Sequence, residues 1–299
     1  MCYSALVIQS QKKLARQLGA EFDEAAYEGL FFDRLNKPGI KIPKAMDDAV
    51  LAEGGRLGEL VRDWRGRQAA DLERLRAEQR ERLEKALAKL AVKETKAALN
   101  DRRIATNKIA QYGKKLDDLE RSEPEAEDSR IWPGEYSAVV VADGRRLIRP
   151  MRYQCRLPGW TAEIEKQFEG TYNARRDKLG SSWKRLFRKN HGLIVAEKFY
   201  ERVDRDGRKV EMEFAPSTRE LMLVPCLWSY DPQDRLYSFG AITDDPEPEV
   251  AATGHDRTPI NIKPEYVDAW LSPESRSESE LQAIFDDKRH PYYEHREAA

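Results

Sequence analysis

Cys2, directly behind the initiator Met1, has the most chemistry open to it of any residue in this chain. A small side chain at position 2 lets the processing aminopeptidase remove Met1, so Cys2 is expected to become the mature N-terminus. Its α-amine and thiol would then share one carbon. An ordinary α-amine titrates at about 7.7–8.0 and an ordinary thiol at about 8.5, so both are partly in their nucleophilic forms near neutral pH. An aldehyde meeting the pair forms a Schiff base with the amine, and the thiolate can close a five-membered thiazolidine. Cys155 and Cys226 are internal and have no free amine to offer. The structural alternative is a terminus that frays and does nothing.

Three later segments carry further reactive side chains. Tyr172-Asn173-Ala174-Arg175-Arg176-Asp177 is a polar cluster ahead of a basic stretch. Ala196-Glu197-Lys198-Phe199-Tyr200-Glu201 puts a carboxylate at the end of an apolar run, and Gly254-His255-Asp256-Arg257-Thr258-Pro259 delivers a histidine just before a strand. Each also has a purely structural reading: Asn173 as a helix cap, Glu201 as partner of a nearby Arg, His255 as a satisfied loop residue. The four histidines and three cysteines show no ligand spacing, so neither a metal nor a cofactor is expected.

The elements that must position these residues follow from hydrophobic period. Ala5–Ile8 is a short apolar segment, residues 11–18 and 21–35 have helical period, and Lys37-Pro38-Gly39 is a turn. From Arg56 to Arg121 the chain is rich in Glu, Lys, Arg, Ala and Leu and has no proline. Leu57, Leu60, Val61, Trp64, Leu72, Leu75, Leu83, Leu87 and Leu90 form a seam of coiled-coil type. Asn100-Asp101 offers a stop and a new N-cap, which predicts a helical hairpin with unequal arms. Ser122–Asp128 reads as an acidic linker.

From Ile131 the period becomes that of strands. Residues 137–141 and 146–153 flank Asp143-Gly144, and residues 193–203 and 209–214 flank Asp206-Gly207, both hairpin signals. Further strands are expected at 221–228, 237–243 and 259–262. Short helices are expected at 181–188, a basic one, and at 264–271. The charged tail 272–299 is expected to be loose apart from a helix near 278–287.

Charge is distributed unevenly. The net charge is −1, yet residues 145–209 hold 18 Lys and Arg against 8 Asp and Glu, an asymmetry that suits one basic face. Three cysteines do not make a disulfide framework. The start, MCYSALVIQSQKK, lacks the form of a signal peptide, and no apolar run approaches the roughly 20 residues of a membrane span. The expectation is a soluble, cytoplasmic protein without a membrane partner.

Taken together with Cys2, the reactive segments resemble the SOS response-associated peptidase (SRAP) family, whose members crosslink to abasic DNA. The resemblance covers roughly residues 1–43 and 131–272. It rests on Met1-Cys2, Pro158-Gly159-Trp160, Asn173-Ala174-Arg175, Phe199-Tyr200-Glu201, Leu227-Trp228, and His255-Asp256-Arg257 followed by Pro259. Each is short, but their order behind a cysteine at position 2 is specific. Two departures stand out. The family's Gly-Arg after Met-Cys is here Tyr3-Ser4, which removes one expected basic contact. Its Ala-Asp-Gly-Phe-Tyr-Glu-Trp is here Ala196 to Arg202, without the Gly and the Trp.

The periods give an α+β core with antiparallel pairing, and the resemblance places it, β-rich and with flanking helices, in residues 1–43 and 131–272. A long coiled-coil-like helical insertion with its acidic linker (44–130) would interrupt it, and a charged tail (273–299) would follow. The resemblance further implies that Cys2 attacks the aldehyde of an abasic site in single-stranded DNA, with Glu201 and His255 moving protons and Asn173 orienting the reactants. Arg175 would hold a flanking phosphate, Arg176, Lys184, Arg185 and Arg188 would extend the basic surface, and Trp160, with Tyr3, would stack on bases. Such a protein would act in the DNA damage response, at the nucleoid when bound to DNA. The insertion could serve a homodimer or a protein partner. Two other classes stay open: an N-terminal-nucleophile peptidase or amidohydrolase, and a coiled-coil scaffold with an inactive core.

Overall fold

The computed structural model describes residues 4–168 and 170–298. They fall into two units, Met1–Ala49 with Glu125–Ala299, and Val50–Pro124. The chain runs β1 (Ser4–Val7), α1 (Gln11–Leu18), β2 (Glu21–Phe22), α2 (Glu24–Asn36), α3 (Lys44–Glu53), α4 (Gly55–Val92) and α5 (Lys96–Glu120). Then come β3 (Arg130–Ile131), β4 (Tyr136–Asp143), β5 (Arg145–Tyr153), α6 (Ala162–Glu165), β6 (Asn173–Arg175), β7 (His191–Arg205) and β8 (Arg208–Pro216). The last elements are β9 (Met222–Asp231), β10 (Leu236–Asp244), α7 (Pro248–Ala252), β11 (Thr258–Pro259), α8 (Val267–Leu271), α9 (Glu278–Asp286) and β12 (Tyr293–Glu297). The fold is mixed α+β with mostly antiparallel pairing, as the sequence predicts.

The pairing closes on itself. β4 joins β5, β5 joins β10, β10 joins β9, β9 joins β7, and β7 returns to β4; only the β5–β10 link is parallel. Such a ring leaves few free edges. Two glycines sit where it is tightest. A Cβ on Gly192 would lie 2.9 Å from both Cys226 Sγ and Val139 Cγ1, and one on Gly240 would lie 2.7 Å from the Trp183 ring. Alternating apolar residues fill the interior, among them Val139, Val141, Met151, Ile194, Val224 and Phe239. Burying each large one contributes about 1.5–3 kcal/mol.

Strand β7 does two jobs. Its first part, His191 to Ala196, pairs with β4 and β9 inside the ring. Its second part, Phe199 to Arg205, leaves the ring to pair with β8, while β1, from Ser4 to Val7, pairs across the junction with Tyr200 to Ala196. The Asp206-Gly207 turn forms as predicted, at φ 53° and 76°; the first hairpin also forms, but Asp143 pairs with Arg145 and the turn centres on Gly144 at φ 66°. Helix α1 has its predicted bounds. Ser10 accepts from the Lys13 amide at its start, and Gly19 in the left-handed region ends it.

Several expectations are corrected. The helix expected over 181–188 is a run of turns, whose amide bonds reach back three, four or five residues. Leu179, Trp183, Leu186 and Phe187 are buried at spacings of four, seven and eight, which a helical stripe would also show, so apolar period alone does not tell these turns from a helix. The helix expected from residue 21 starts at Glu24, because Asp23 caps it and Glu21–Phe22 pair in parallel with β5. The tail is not loose: Ser277 and Glu280 form a capping box on α9, and β12 pairs with β8 from Tyr293↔Pro216 to Glu297↔Met212.

Within the second unit, α4 and α5 form the hairpin. The break falls at Lys93–Thr95 rather than at Asn100-Asp101, since the Thr95 hydroxyl accepts from the Ala98 amide and starts α5 there. Alanines 86, 98 and 105 are buried, and Arg82 bridges the arms to Asp101 at 2.6 Å. Leu87 of the expected seam is 47% exposed. Two arms cover only part of a stripe that wide.

His191, where β7 begins, stacks on the Trp270 indole with ring centroids 3.7 Å apart. Its Nδ1 donates to the Trp270 carbonyl (2.8 Å), and its Nε2 accepts from the Arg188 amide (3.1 Å). Burial pushes its pKa from the ordinary 6.5 down to about 3, the bond to the carbonyl offsetting part of that push. Below 6.5 the unfolded chain therefore takes up a proton that the folded chain refuses. Stability should fall as the pH drops from 6.5 toward 3, by about 1.4 kcal/mol per unit from this group alone. In urea melts over the upper part of that window, His191→Gln is expected to give a shallower acid slope than wild type. Equal slopes would exclude His191 as the source.

Candidate active site

Glu201 lies in the outer part of β7, opposite Met212 of β8, and is wholly buried. The tight turn at Thr253-Gly254 after α7 leads His255 to it, with Nε2 3.0 Å from Glu201 Oε2. The other imidazole nitrogen, Nδ1, faces both backbone groups of Arg257, the carbonyl at 3.0 Å and the amide at 3.3 Å. A protonated Nδ1 donates to the carbonyl, and a bare one accepts from the amide. Nδ1 therefore has a backbone partner on Arg257 in either tautomer.

Ser4 begins β1 opposite Tyr200, the residue next to Glu201. Where the family pattern carries an arginine, the Ser4 hydroxyl accepts from Arg130 Nε (3.0 Å) and Nη2 (2.8 Å). Cys2 and Tyr3 lie outside the described residues. The internal thiols are poor competitors for chemistry. Both are buried, and burial pushes Cys155 up to about 12, a bond with Ser238 offsetting only part, and Cys226 well above its ordinary value.

Asn173 starts β6, which pairs in parallel with β10 from Asn173↔Ala241 to Arg175↔Thr243. Its side chain is 7% exposed, and neither amide atom has a hydrogen-bond partner among the described residues. Burying both unmet costs a few kcal/mol, so the position suits a site that a ligand completes. Beside it along the strands, Arg175, Arg176, Asp177, Thr243, Asp244 and Arg257 line a cleft of about 340 Å³. Arg257 was missed as a site residue, although it belongs to the His-Asp-Arg run that signals the loop.

The basic residues have divided roles. The Arg175 side chain is 44% exposed and pairs with the exposed Asp177 at 2.7 Å. Arg176 is bound by Asp244, Asp286 and Gln282. Lys184 is exposed, Arg185 donates to the Pro158 carbonyl (2.7 Å) and Arg188 to the Arg276 carbonyl (3.1 Å). Trp160, next to that Pro158–Gly159 turn, stacks on Phe168 with centroids 4.7 Å apart. The basic excess of residues 145–209 is not one open face. Arg145, Arg146, Arg149, Arg152 and Arg156 pair with Glu21, Asp268, Asp23, Glu165 and Asp231.

Fold and site define a mixed α+β protein, mostly antiparallel, that buries a carboxylate–imidazole pair beside a cleft lined by arginines. The chain belongs to the SOS response associated peptidase (SRAP) family, whose model matches residues 91–297. It is 27% identical over 176 residues to an abasic site processing protein of Saccharomyces cerevisiae, a match covering 55% of this chain and 47% of that one. The chain thus spans about half the length of that relative. Solved structures from Bacteroides thetaiotaomicron (14% identity, TM-score 0.47, 57% of this chain and 78% of that one) and Bordetella bronchiseptica (16%, 0.47, 60% and 90%) are also similar. Among the described residues no helix is long and apolar enough to cross a membrane, and no group of His, Cys, Asp and Glu could hold a metal ion.

Proposed function

We propose that this chain binds single-stranded DNA and that Cys2, freed of Met1, crosslinks to an abasic site through a thiazolidine. The observation that carries the reading is the buried Glu201–His255 pair, 3.0 Å apart, beside the strand on which Ser4 lies opposite Tyr200. Cys2 stands only two residues before Ser4 in the chain, so the tether is short. The match to an abasic site processing protein adds support.

The chemistry balances as follows. The ring-opened deoxyribose presents its aldehyde, the Cys2 amine adds to the carbonyl carbon, and water leaves to give the imine. The thiolate then adds to that carbon, and the imine nitrogen takes the proton. Glu201 and His255 relay protons in these steps, and Asn173 supplies its unmet donor and acceptor to the sugar or to Cys2. Mixing the protein with a single-stranded oligonucleotide carrying one abasic site should give a single slower species on a denaturing gel. An oligonucleotide without the site should give none. Protein and abasic strand running separately would defeat the proposal.

Arg175, exposed at the cleft, is assigned a phosphate contact. Each such contact on a single strand contributes about 0.7 to the slope of log affinity against log salt. Arg175→Ala should weaken binding of a fluorescent single strand several-fold and flatten its salt dependence by about that amount. An unchanged slope would remove Arg175 from the phosphate contacts.

A further inference from the structure

We propose that Arg130 is the positioning residue for the N-terminal nucleophile, holding the start of β1 in register against the strand that carries Glu201. This rests on the crosslinking reading above. Arg130 is nearly buried in β3, where Leu6↔Arg130 and Ala5↔Ile131 place it alongside β1. Its guanidinium lies between two rings, 3.7 Å from the centroid of Tyr200 and 4.1 Å from that of Trp132. Its nitrogens donate to Ser4 Oγ at 3.0 and 2.8 Å and pair with Glu211 at 2.7 Å and Glu127 at 3.2 Å. One side chain therefore touches both Ser4 and Tyr200, the pair facing each other at the end of the β1–β7 ladder.

Position there needs defending. β1 has four residues, and its register already shifts between Leu6 and Val7. A further slip of one residue would turn every side chain of β1 to the opposite face. Backbone pairing does not distinguish the registers, because every residue offers the same amide and carbonyl. The planar guanidinium does: its fixed fork meets the Ser4 hydroxyl in only one alignment, and the two rings and two carboxylates hold the fork still. The short tether passes that alignment to Cys2.

Two variants test this in the intact protein. Arg130→Gln removes the fork, and Ser4→Ala removes only its acceptor, leaving the ring stack and carboxylate pairs in place. Single-turnover crosslinking of an abasic single strand at saturating DNA should slow by about 10-fold or more in Ser4→Ala and further in Arg130→Gln, the scale on which misplacing reacting groups lowers rates. The DNA concentration for half-maximal rate should stay within twofold of wild type. Combining the two should cost no more than Arg130→Gln alone. A folded Ser4→Ala at the wild-type rate overturns the assignment, and so does a fall in DNA affinity without a fall in maximal rate. Failure of the wild-type protein to crosslink would instead sink the crosslinking reading itself.

Discussion

Cys2→Ala leaves no adduct stable on a denaturing gel, while the wild type gives one: this is the largest effect expected. The substitution keeps the α-amine, so an imine still forms and borohydride should trap it. What disappears is the sulfur that closes the ring. Cys2→Ser should behave likewise, and a retained N-terminal extension should abolish trapping as well, because it converts the amine into an amide. The internal thiols cannot rescue the variant, as burial holds Cys155 and Cys226 in the unreactive thiol form. Stable crosslinking by Cys2→Ala would show that another nucleophile does the work. An unstable adduct in the wild type, with turnover of an amide, would favour the peptidase alternative.

Glu201→Gln should slow crosslinking by about 10²–10⁴, the usual contribution of a positioned proton-transfer group. The amide matches the carboxylate in shape, so its neighbours on β7 and β8 have no reason to move. It does not match in chemistry, because it cannot take a proton from His255 Nε2 at 3.0 Å. His255→Asn should fall in the same range, and the double variant should cost little more than the worse single one, as two groups in one relay are not additive. Thermal stability gives the control. Because the amide keeps the volume and can still hydrogen-bond His255, the melting temperature should stay within a few degrees of wild type. A loss of rate matched by a similar loss of stability would mean that the pair serves the fold alone.

Much of this protein's local structure is legible in the sequence because it depends on neighbours along the chain. Alternating apolar residues mark the strands, the Asp-Gly pairs mark the two hairpin turns, and Ser10 and Gly19 bracket α1. The α+β class follows from those periods. Where a local signal had a rival nearby, the reading slipped. Thr95 rather than Asn100-Asp101 starts α5, and 181–188 has the apolar spacing of a helix face yet folds as a run of turns.

What only tertiary structure decided depends on residues far apart in the chain. No period reveals that β5 and β10 pair in parallel and close a ring, because pairing is chosen by the whole sheet. Nor does it reveal that Arg145, Arg146 and Arg149 meet carboxylates from residues 21, 268 and 23, so a basic count became a set of ion pairs. The 3.0 Å meeting of Glu201 with His255, 54 positions later in the sequence, belongs here too. So does the grip of Arg130 on Ser4, 126 positions away. A sequence shows which side chains can donate, accept or carry charge. Their partners are set by burial, since only packing away from water makes an unmet polar group costly enough to select its contact.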